Sequence, residues 1–183
     1  MLSILVPTYN HERYIKKCLY SIFNQKISCS YEILVGEDYS TDNTRKMLEE
    51  IESEGHPYLT VFYRKENMHA SQYTNSNDLR DRACGKYLIY LEGDDYWIDD
   101  HKIQTQIDFL ESHRNYIAVA HNCIMVDENL NTINRKYPEC KDNDYTFKMI
   151  IHLITIIVKL CRGSKQLCLC EILNILVKLI QAF

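Results

Sequence analysis

The sequence predicts an α/β fold in which a mixed, mostly parallel sheet is flanked by helices. Apolar runs of strand length alternate with segments of helical periodicity from residue 2 to residue 126. Most runs open into polar loops, as the carboxyl ends of parallel strands do at a ligand-binding edge. The run at 87–91 is apolar on both faces, which is typical of a central parallel strand.

Five strands and four helices are expected, with one helix between each pair of consecutive strands. The first helix is indicated by apolar residues at i, i+3, i+4, i+7 and i+8 counted from Ile15. The second begins near 40–43, where all four residues are capping types. The third covers 71–84, and the fourth is marked by the spacing from Ile103 to Leu110. The expected strands are 2–7, 31–37, 59–63, 87–91 and 117–126.

Composition and charge exclude several classes of protein. The net charge of −4 and the lack of a Lys- and Arg-rich run argue against nucleic acid as a partner. The eight cysteines are mostly dispersed in apolar contexts, which favours reduced thiols in a cytoplasm. The sequence holds neither a phosphate-binding motif of kinases and P-loop enzymes nor an apolar run of membrane-spanning length.

The composition changes after Phe147, so we predict two regions, 1–147 and 148–183. The second region is apolar and β-branched, with few charges and few turn residues, and it fits no further βα unit. One interpretation is a truncated or frame-shifted continuation. The other is an amphipathic helix in peripheral contact with a membrane surface. Its apolar face would hold Ile172, Ile175, Leu176 and Leu179.

The first of three notable loops is Pro7-Thr8-Tyr9-Asn10, at the end of the first strand. An exposed Tyr9 and Asn10 beyond a buried strand could stack on a base and hydrogen-bond to it. The alternative is an ordinary strand-to-helix turn in which Asn10 is a helix cap.

The second loop runs from Glu37 to Thr44 and begins with two carboxylates. Glu37 and Asp38 could accept hydrogen bonds from a base N–H or a ribose hydroxyl. The alternative is that the segment only starts the next helix through Ser40, Thr41 and Asp42. Both interpretations can hold together, because the carboxylates precede the capping residues.

The third loop is Glu92-Gly93-Asp94-Asp95, directly after the apolar fourth strand. Carboxylates crowded in this way are unfavourable unless a cation neutralises them. Hard oxygen ligands suit magnesium or manganese, which also bind substrate phosphates. Gly93 permits a ligand to approach the backbone closely. The alternative is a solvated acidic turn.

These loops in order, with Gly85-Lys86-Tyr87 leading into the third, resemble the signature of family 2 glycosyltransferases. The segment 92–110 is similar to that of a bacterial subgroup that attaches sugars to surface polysaccharides. The resemblance implies a GT-A (Rossmann-like) fold and inverting transfer from a nucleoside-diphosphate sugar with a divalent metal, Mn or Mg. It also implies a glycan or lipid-linked acceptor and a place in the cytoplasm, at the inner face of the membrane.

The resemblance also implies roles for particular residues. The first loop would contact the nucleotide, chiefly through Thr8 and Tyr9, with Pro7 and Asn10 beside them. Asp38 would face the base with Glu37 next to it. In the third loop, Glu92 and Gly93 would contact the nucleotide or ribose, and Asp94 would be the metal ligand of an Asp-x-Asp motif.

The sequence departs from the family pattern at three positions. Glu37 and Glu92 stand where Asp is commoner, and Tyr39 stands where Gly is usual. We therefore expect the second loop to do without the positive φ that glycine allows. The catalytic base is unknown, because Glu171 is the only carboxylate residue after 147 and its context does not match. Asp142 and Asp144 are the nearest upstream candidates.

Three hypotheses remain open at this stage. The chain is an active glycosyltransferase, or a truncated and inactive nucleotide-binding protein, or an interaction module whose apolar tail docks on a partner or a membrane. The ordered motifs favour the family, and the change of composition after Phe147 favours loss of activity.

Overall fold

The computed structural model describes residues 1–68, 73–121, 123–127, 131–137 and 156–159. It contains a six-stranded sheet, a two-stranded sheet and four helices within those residues. The strands are β1 (Leu2–Thr8), β2 (Tyr31–Glu37), β3 (Leu59–Tyr63), β4 (Tyr87–Tyr90), β5 (Ala118–Ala120), β6 (Cys123–Val126), β7 (Thr132–Tyr137) and β8 (Ile156–Lys159). The helices are α1 (Ile15–Phe23), α2 (Thr44–Ser53), α3 (Asn75–Arg82) and α4 (Lys102–Ser112).

The large sheet has the strand order β3-β2-β1-β4-β8-β5. The strands β1 to β4 are parallel to one another, and β8 pairs antiparallel with both β4 and β5. Parallel pairs need crossover connections, and the helices α1, α2 and α3 lie in those connections. The predicted mixed, mostly parallel sheet with flanking helices is confirmed.

The core lies on both faces of this sheet because alternate residues of a strand point to opposite sides. In β1, Leu2, Ile4 and Val6 pack in one cluster with apolar residues of α1, α2 and α4. Leu5 of the same strand packs on the opposite side with Leu79 of α3. All of these side chains are fully buried, and each contributes roughly 1.5–3 kcal/mol by leaving water.

The strand register sets the ends of β1, β2 and β3 side by side. Thr8 pairs with Glu37, and Glu37 pairs with Tyr63. The strand β4 pairs with β1 up to Leu5 and Tyr90, and its following loop continues beside β1 through the hydrogen bond from Gly93 N–H to the carbonyl of Pro7. The three polar loops of the sequence therefore meet at one edge, as predicted.

Two of the predicted elements differ from those observed. The single strand expected at 117–126 is wrong, because β5 joins the large sheet whereas β6 pairs with β7 in the small one. Both halves of this segment are apolar, so the sequence pattern does not show that they pair in different sheets. The helix expected from 71 begins at Asn75, and residues 69–72 lie outside the described residues.

The strand β8 comes from the region 148–183. It lies between β4 and β5, with Leu88 and Ala118 both paired to Val158. An antiparallel insertion is not a further βα unit, and the boundary at 147 stays a prediction. Asp142, Asp144 and the apolar face around Ile172 lie outside the described residues. Within the described part of the chain, every helix is too short or too polar to cross a bilayer.

Candidate functional site

A cleft of about 380 Å³ opens at the edge of the sheet where the three loops meet. It is built by the loops after β1, β2 and β4 together with the start of α3. The lining residues are Pro7, Thr8, Tyr9, His11, Asp38, Thr74, Asn75, Ser76 and Glu92. Five of the nine predicted site residues are among them, and the other four, Asn10, Glu37, Gly93 and Asp94, are not.

The floor of the cleft is a close contact between the first and third loops. Thr8 is buried, and its Oγ1 lies 3.1 Å from Nδ1 of His11. A Cβ on Gly93 would lie 2.5 Å from Oγ1 of Thr8 and 2.7 Å from Nδ1 of His11. Only glycine therefore fits at this position without displacing the Thr8–His11 pair. Tyr9 follows with an exposed ring at the mouth of the cleft.

The first two loops are joined by hydrogen bonds between residues 10–12 and 40–44, a contact that we call the loop brace. Asn10 donates its backbone N–H to Oγ of Ser40 at 3.0 Å, and its Oδ1 accepts from Thr41 N–H at 2.8 Å. Further bonds run from His11 N–H to Thr44 Oγ1, from Glu12 N–H to Asp42 Oδ2 and from Asn43 N–H to Glu12 Oε2. Asn10 thus holds the loops together, and its contact with a nucleotide stays a prediction.

Asn10 in the brace and Tyr39 directly before it have a left-handed backbone. Asn10 has φ 55°, which asparagine tolerates well, and Tyr39 has φ 61°. The expectation that the second loop does without positive φ is therefore wrong. Tyr39 adopts the conformation that glycine would adopt, at a cost of roughly 1–2 kcal/mol. The hydrogen bonds on both sides of Tyr39, at Asp38 and Ser40, hold it there.

The two carboxylates of the second loop point in different directions. Glu37 is fully buried, and its side chain accepts hydrogen bonds from Arg45 Nε at 2.7 Å and from Ser40 N–H at 2.6 Å. Asp38 lines the cleft, and its Oδ1 accepts from Met68 N–H at 2.9 Å. Asp38 therefore faces the cleft, while Glu37 supports the loop from within.

The start of α3 forms the cleft wall that the sequence did not predict. Thr74 caps the helix by accepting a hydrogen bond from Asn77 N–H at 3.3 Å. Asn75 is buried and donates to the carbonyl of Gly36 at 2.7 Å. A Cβ on Gly36 would lie 2.2 Å from Oδ1 of Asn75, so glycine is required there too. The only signal in the sequence was a capping threonine ahead of a polar helix.

Negative charge is concentrated in the third loop, which we call the acidic loop (residues 92–95). Loss of hydration, followed by repulsion from Asp94 and Asp95, raises the pKa of Glu92 to about 7. Loss of hydration and the charge of Asp94 also raise the pKa of Asp95, although His11 opposes the shift. Beneath the loop, burial and the same carboxylates raise the pKa of the Cys18 thiol.

The donor set of the acidic loop fits a divalent cation held jointly with a phosphate ligand. Three carboxylates lie within four residues of this loop, and a cation would relieve their mutual repulsion. Nε2 of His11 lies 3.9 Å from Oδ2 of Asp94. No three acidic, His or Cys side chains of the described residues are grouped closely enough to hold an ion on their own. Magnesium and manganese commonly take one or two protein ligands and complete their shell with phosphate oxygens and water.

The fold is GT-A, as in the solved structures that this chain is similar to. The Staphylococcus aureus TarS fragment 1–349 in complex with UDP matches with a TM-score of 0.54 and 28% identity. The match covers 62% of this chain and 32% of that one. The mannosyltransferase PcManGT from Pyrobaculum calidifontis, in complex with GDP-Man and Mn²⁺, matches with a TM-score of 0.57 and 24% identity. That match covers 65% of this chain and 34% of the other, and it supports the fold alone.

The chain belongs to glycosyl transferase family 2, whose model matches residues 3–174. A curated relative named for teichuronic acid biosynthesis, the glycosyltransferase TuaG of Bacillus subtilis, is 32% identical over 110 residues. The GalNAc(5)-diNAcBac-PP-undecaprenol beta-1,3-glucosyltransferase of Campylobacter jejuni is 26% identical over 127 residues. These matches cover 60% and 69% of this chain but only 42% and 44% of the relatives. The chain is thus related to enzymes of cell-surface polysaccharide synthesis, and its matched part spans less than half of their length.

Proposed function

We propose that this chain binds a nucleoside-diphosphate sugar in the cleft and transfers the sugar, with inversion, to a hydroxyl of a cell-surface glycan or a lipid-linked acceptor. The observation that carries the proposal is the meeting of Thr8, Asp38 and Glu92 from three separate loops around one cleft. The relation to TarS, which has been solved with UDP, supports a nucleotide in this position.

The lining residues suit the parts of such a donor. The exposed ring of Tyr9 offers a face for stacking on the base. The carboxylate of Asp38 keeps one oxygen beyond its bond to Met68 and can accept from a base N–H. Glu92 also lines the cleft, and its carboxylate would accept a hydrogen bond from a ribose hydroxyl.

The acidic loop would hold the diphosphate end of the donor through Mn²⁺ or Mg²⁺, with Asp94 as a ligand. An ion bound there would stabilise the charge that develops on the leaving diphosphate. The chain's own contribution is to concentrate negative charge at the cleft and to keep the backbone compact at Gly93, where Thr8 and His11 pack closely. We assign none of the described residues as the base that deprotonates the acceptor hydroxyl.

Nucleotide binding is the experiment that tests the proposal. Calorimetry with UDP, GDP and dTDP should detect at least one complex, and Mn²⁺ should strengthen it. Asp38→Asn should weaken binding about tenfold with or without metal, because a base contact does not depend on the ion. Folded protein that binds none of these nucleotides in the presence of Mn²⁺ would contradict the donor-site proposal.

Transfer and binding are separate outcomes of this test. A bound nucleotide with release of sugar from a matching donor supports the enzyme. A bound nucleotide with neither transfer nor donor hydrolysis supports the alternative, a nucleotide-binding protein without activity of its own. Work at the cytoplasmic face of a membrane is part of the proposal, and co-sedimentation of the chain with anionic vesicles tests peripheral contact.

A further inference from the structure

We infer that His11 is a second protein ligand of the divalent ion, sharing it with Asp94 through the Nε2 atom. The inference rests on the proposed function, because the diphosphate of the bound donor would complete the shell. His11 comes from the loop after β1, at the end of the Pro7–Asn10 motif, and the sequence analysis assigned it no role. It lines the cleft together with Thr8 and Glu92.

The distance between the two ligand atoms suits one shared ion. Nε2 of His11 lies 3.9 Å from Oδ2 of Asp94. Two ligands of one octahedral ion with bonds of about 2.1 Å lie about 3.0 Å apart when adjacent and about 4.2 Å apart when opposite. The observed separation falls between these limits, and the exposed Asp94 side chain is free to adjust by rotation.

The other ring nitrogen of His11 has a hydrogen-bond partner that can fix the orientation of the imidazole. Nδ1 lies 3.1 Å from Oγ1 of the buried Thr8, so an Nδ1–H would donate to that hydroxyl and leave Nε2 as the electron-pair donor. The backbone of His11 is also fixed, since its N–H donates to Thr44 Oγ1 at 2.8 Å. Its carbonyl accepts from the N–H groups of Tyr14 and Ile15. The missing Cβ at Gly93 makes room for this ring.

A neutral ligand is favourable at this position for an electrostatic reason. Glu92, Asp94 and Asp95 already place three carboxylates within four residues of the loop. A further carboxylate would add to their repulsion, whereas a neutral imidazole completes the ligand pair without adding negative charge. Imidazole also binds manganese and cobalt better than magnesium, so the site should prefer the transition metals.

Pulsed electron paramagnetic resonance of Mn²⁺ bound with UDP tests the inference directly. A coordinating imidazole gives a nitrogen hyperfine coupling to the manganese, which oxygen ligands do not. We expect the coupling in the wild-type protein and its loss in His11→Asn. The matched control is His101→Asn, because His101 lies 3.7 Å from the carboxylate of Asp100 in an exposed pair away from the cleft. That control should keep the coupling.

Metal titrations in the presence of UDP give a second measurement. His11→Asn should weaken Co²⁺ and Mn²⁺ binding at least tenfold and Mg²⁺ binding less than threefold. Circular dichroism establishes that the variant folds, and His11→Gln replaces it if it does not. The spectrum of the wild-type protein with bound Mn²⁺ and UDP tests the inference without any variant. If that spectrum lacks the nitrogen coupling, the inference is wrong.

The possible failures are distinguishable from one another. If UDP binds and Mn²⁺ has no effect, the ion site is wrong and the nucleotide site stands. If Mn²⁺ binds with UDP and His11→Asn keeps both the coupling and the affinity, His11 is not a ligand and Asp94 retains its role. If no nucleotide binds, the proposed function itself fails.

Discussion

The loop brace and the acidic loop are both rich in polar and acidic residues and lie at the same edge of the sheet. Their carboxylates differ in the hydrogen bonds that they accept. In the brace, every carboxylate has donors. Burial works against ionisation of Asp42, but hydrogen bonds from Thr44 and from the N–H of Glu12 outweigh it and lower its pKa. In the acidic loop, loss of hydration and mutual repulsion raise the pKa of Glu92 and Asp95.

The difference shows that an acidic residue in such a loop is not by itself evidence of a ligand site. Asp42 accepts hydrogen bonds from the backbone N–H groups of Glu12 and Thr44, and Glu12 accepts one from Asn43 N–H, so both carboxylates have a structural task in the loops before α1 and α2. Within the described part of the chain, no hydrogen-bond donor reaches the carboxylates of the acidic loop, and a cation would relieve their mutual repulsion.

The largest expected effect comes from removing the buried negative charge of Glu37, which holds Ser40 of the brace by a hydrogen bond. Glu37→Gln leaves Arg45 without its buried counter-ion and weakens the bond to Ser40 N–H. The free energy of unfolding, measured in urea, should fall by about 3 kcal/mol. Glu66→Gln, at an exposed position, is the control and should change stability by less than about 0.5 kcal/mol. An equal effect of the two substitutions would contradict the supporting role of Glu37.

The second prediction compares one carboxylate of the acidic loop with one of the loop brace by how strongly Mn²⁺ changes the affinity for UDP. Asp94→Asn should abolish the strengthening of nucleotide binding by Mn²⁺, a loss of at least about tenfold or roughly 1.4 kcal/mol. Glu12→Gln removes a carboxylate from the brace and should leave the metal response within about twofold. Calorimetry with UDP at fixed Mn²⁺ measures both. A retained metal response in Asp94→Asn would show that Asp94 is not the ligand.

A third prediction concerns a buried charge just beyond the acidic loop. Lys102 in α4 donates from Nζ to the neutral Gln106 at 3.0 Å and lies over the ring of Trp97 at 4.5 Å. Burial lowers the pKa of Lys102 to about 7, although Cys123 and Asp99 oppose the shift. An unfolded lysine has a pKa near 10.4, so unfolding takes up a proton between pH of about 7 and 10, and stability should rise with pH across that window.

Lys102→Met should remove this rise, because methionine fills the space without a charge. At pH 6 the variant should be more stable than the wild type by about 1 kcal/mol, and the gain should shrink towards pH 10. Urea unfolding across that range measures the difference, with Lys46→Met as an exposed control. A gain that does not change with pH would mean that packing, not the buried charge, is responsible.

The smallest expected effect tests backbone strain at the brace. Tyr39→Gly removes a Cβ from a left-handed position and should raise the free energy of unfolding by about 0.5 kcal/mol. Part of the relief is lost because Arg45 stacks near the Tyr39 ring, 5.7 Å from its centroid. Tyr58→Gly, also at an exposed tyrosine but without positive φ, should destabilise instead. Matching signs for the two variants would exclude strain as the cause.

Much of the fold could be predicted from the sequence because its signals are local. The helical spacing from Ile15 and the apolar runs of β1 to β4 reflect burial along one stretch of chain, and those elements are observed where expected. The break between β5 and β6 could not be predicted in this way, since both halves are apolar and only their pairing partners differ. The insertion of β8 depends likewise on partners more than 35 residues away.

For the site, the sequence by itself determined which residue types meet at the edge, because parallel strands carry their following loops to the same side. Only the tertiary structure decided what each of them does. It turned Glu37 inward to Arg45 and Asp38 into the cleft, although the two are adjacent in sequence. It also brought His11 beside Asp94 and Asn75 against Gly36, contacts across 83 and 39 residues of chain. Such contacts depend on side-chain direction and packing between elements, which no local pattern encodes.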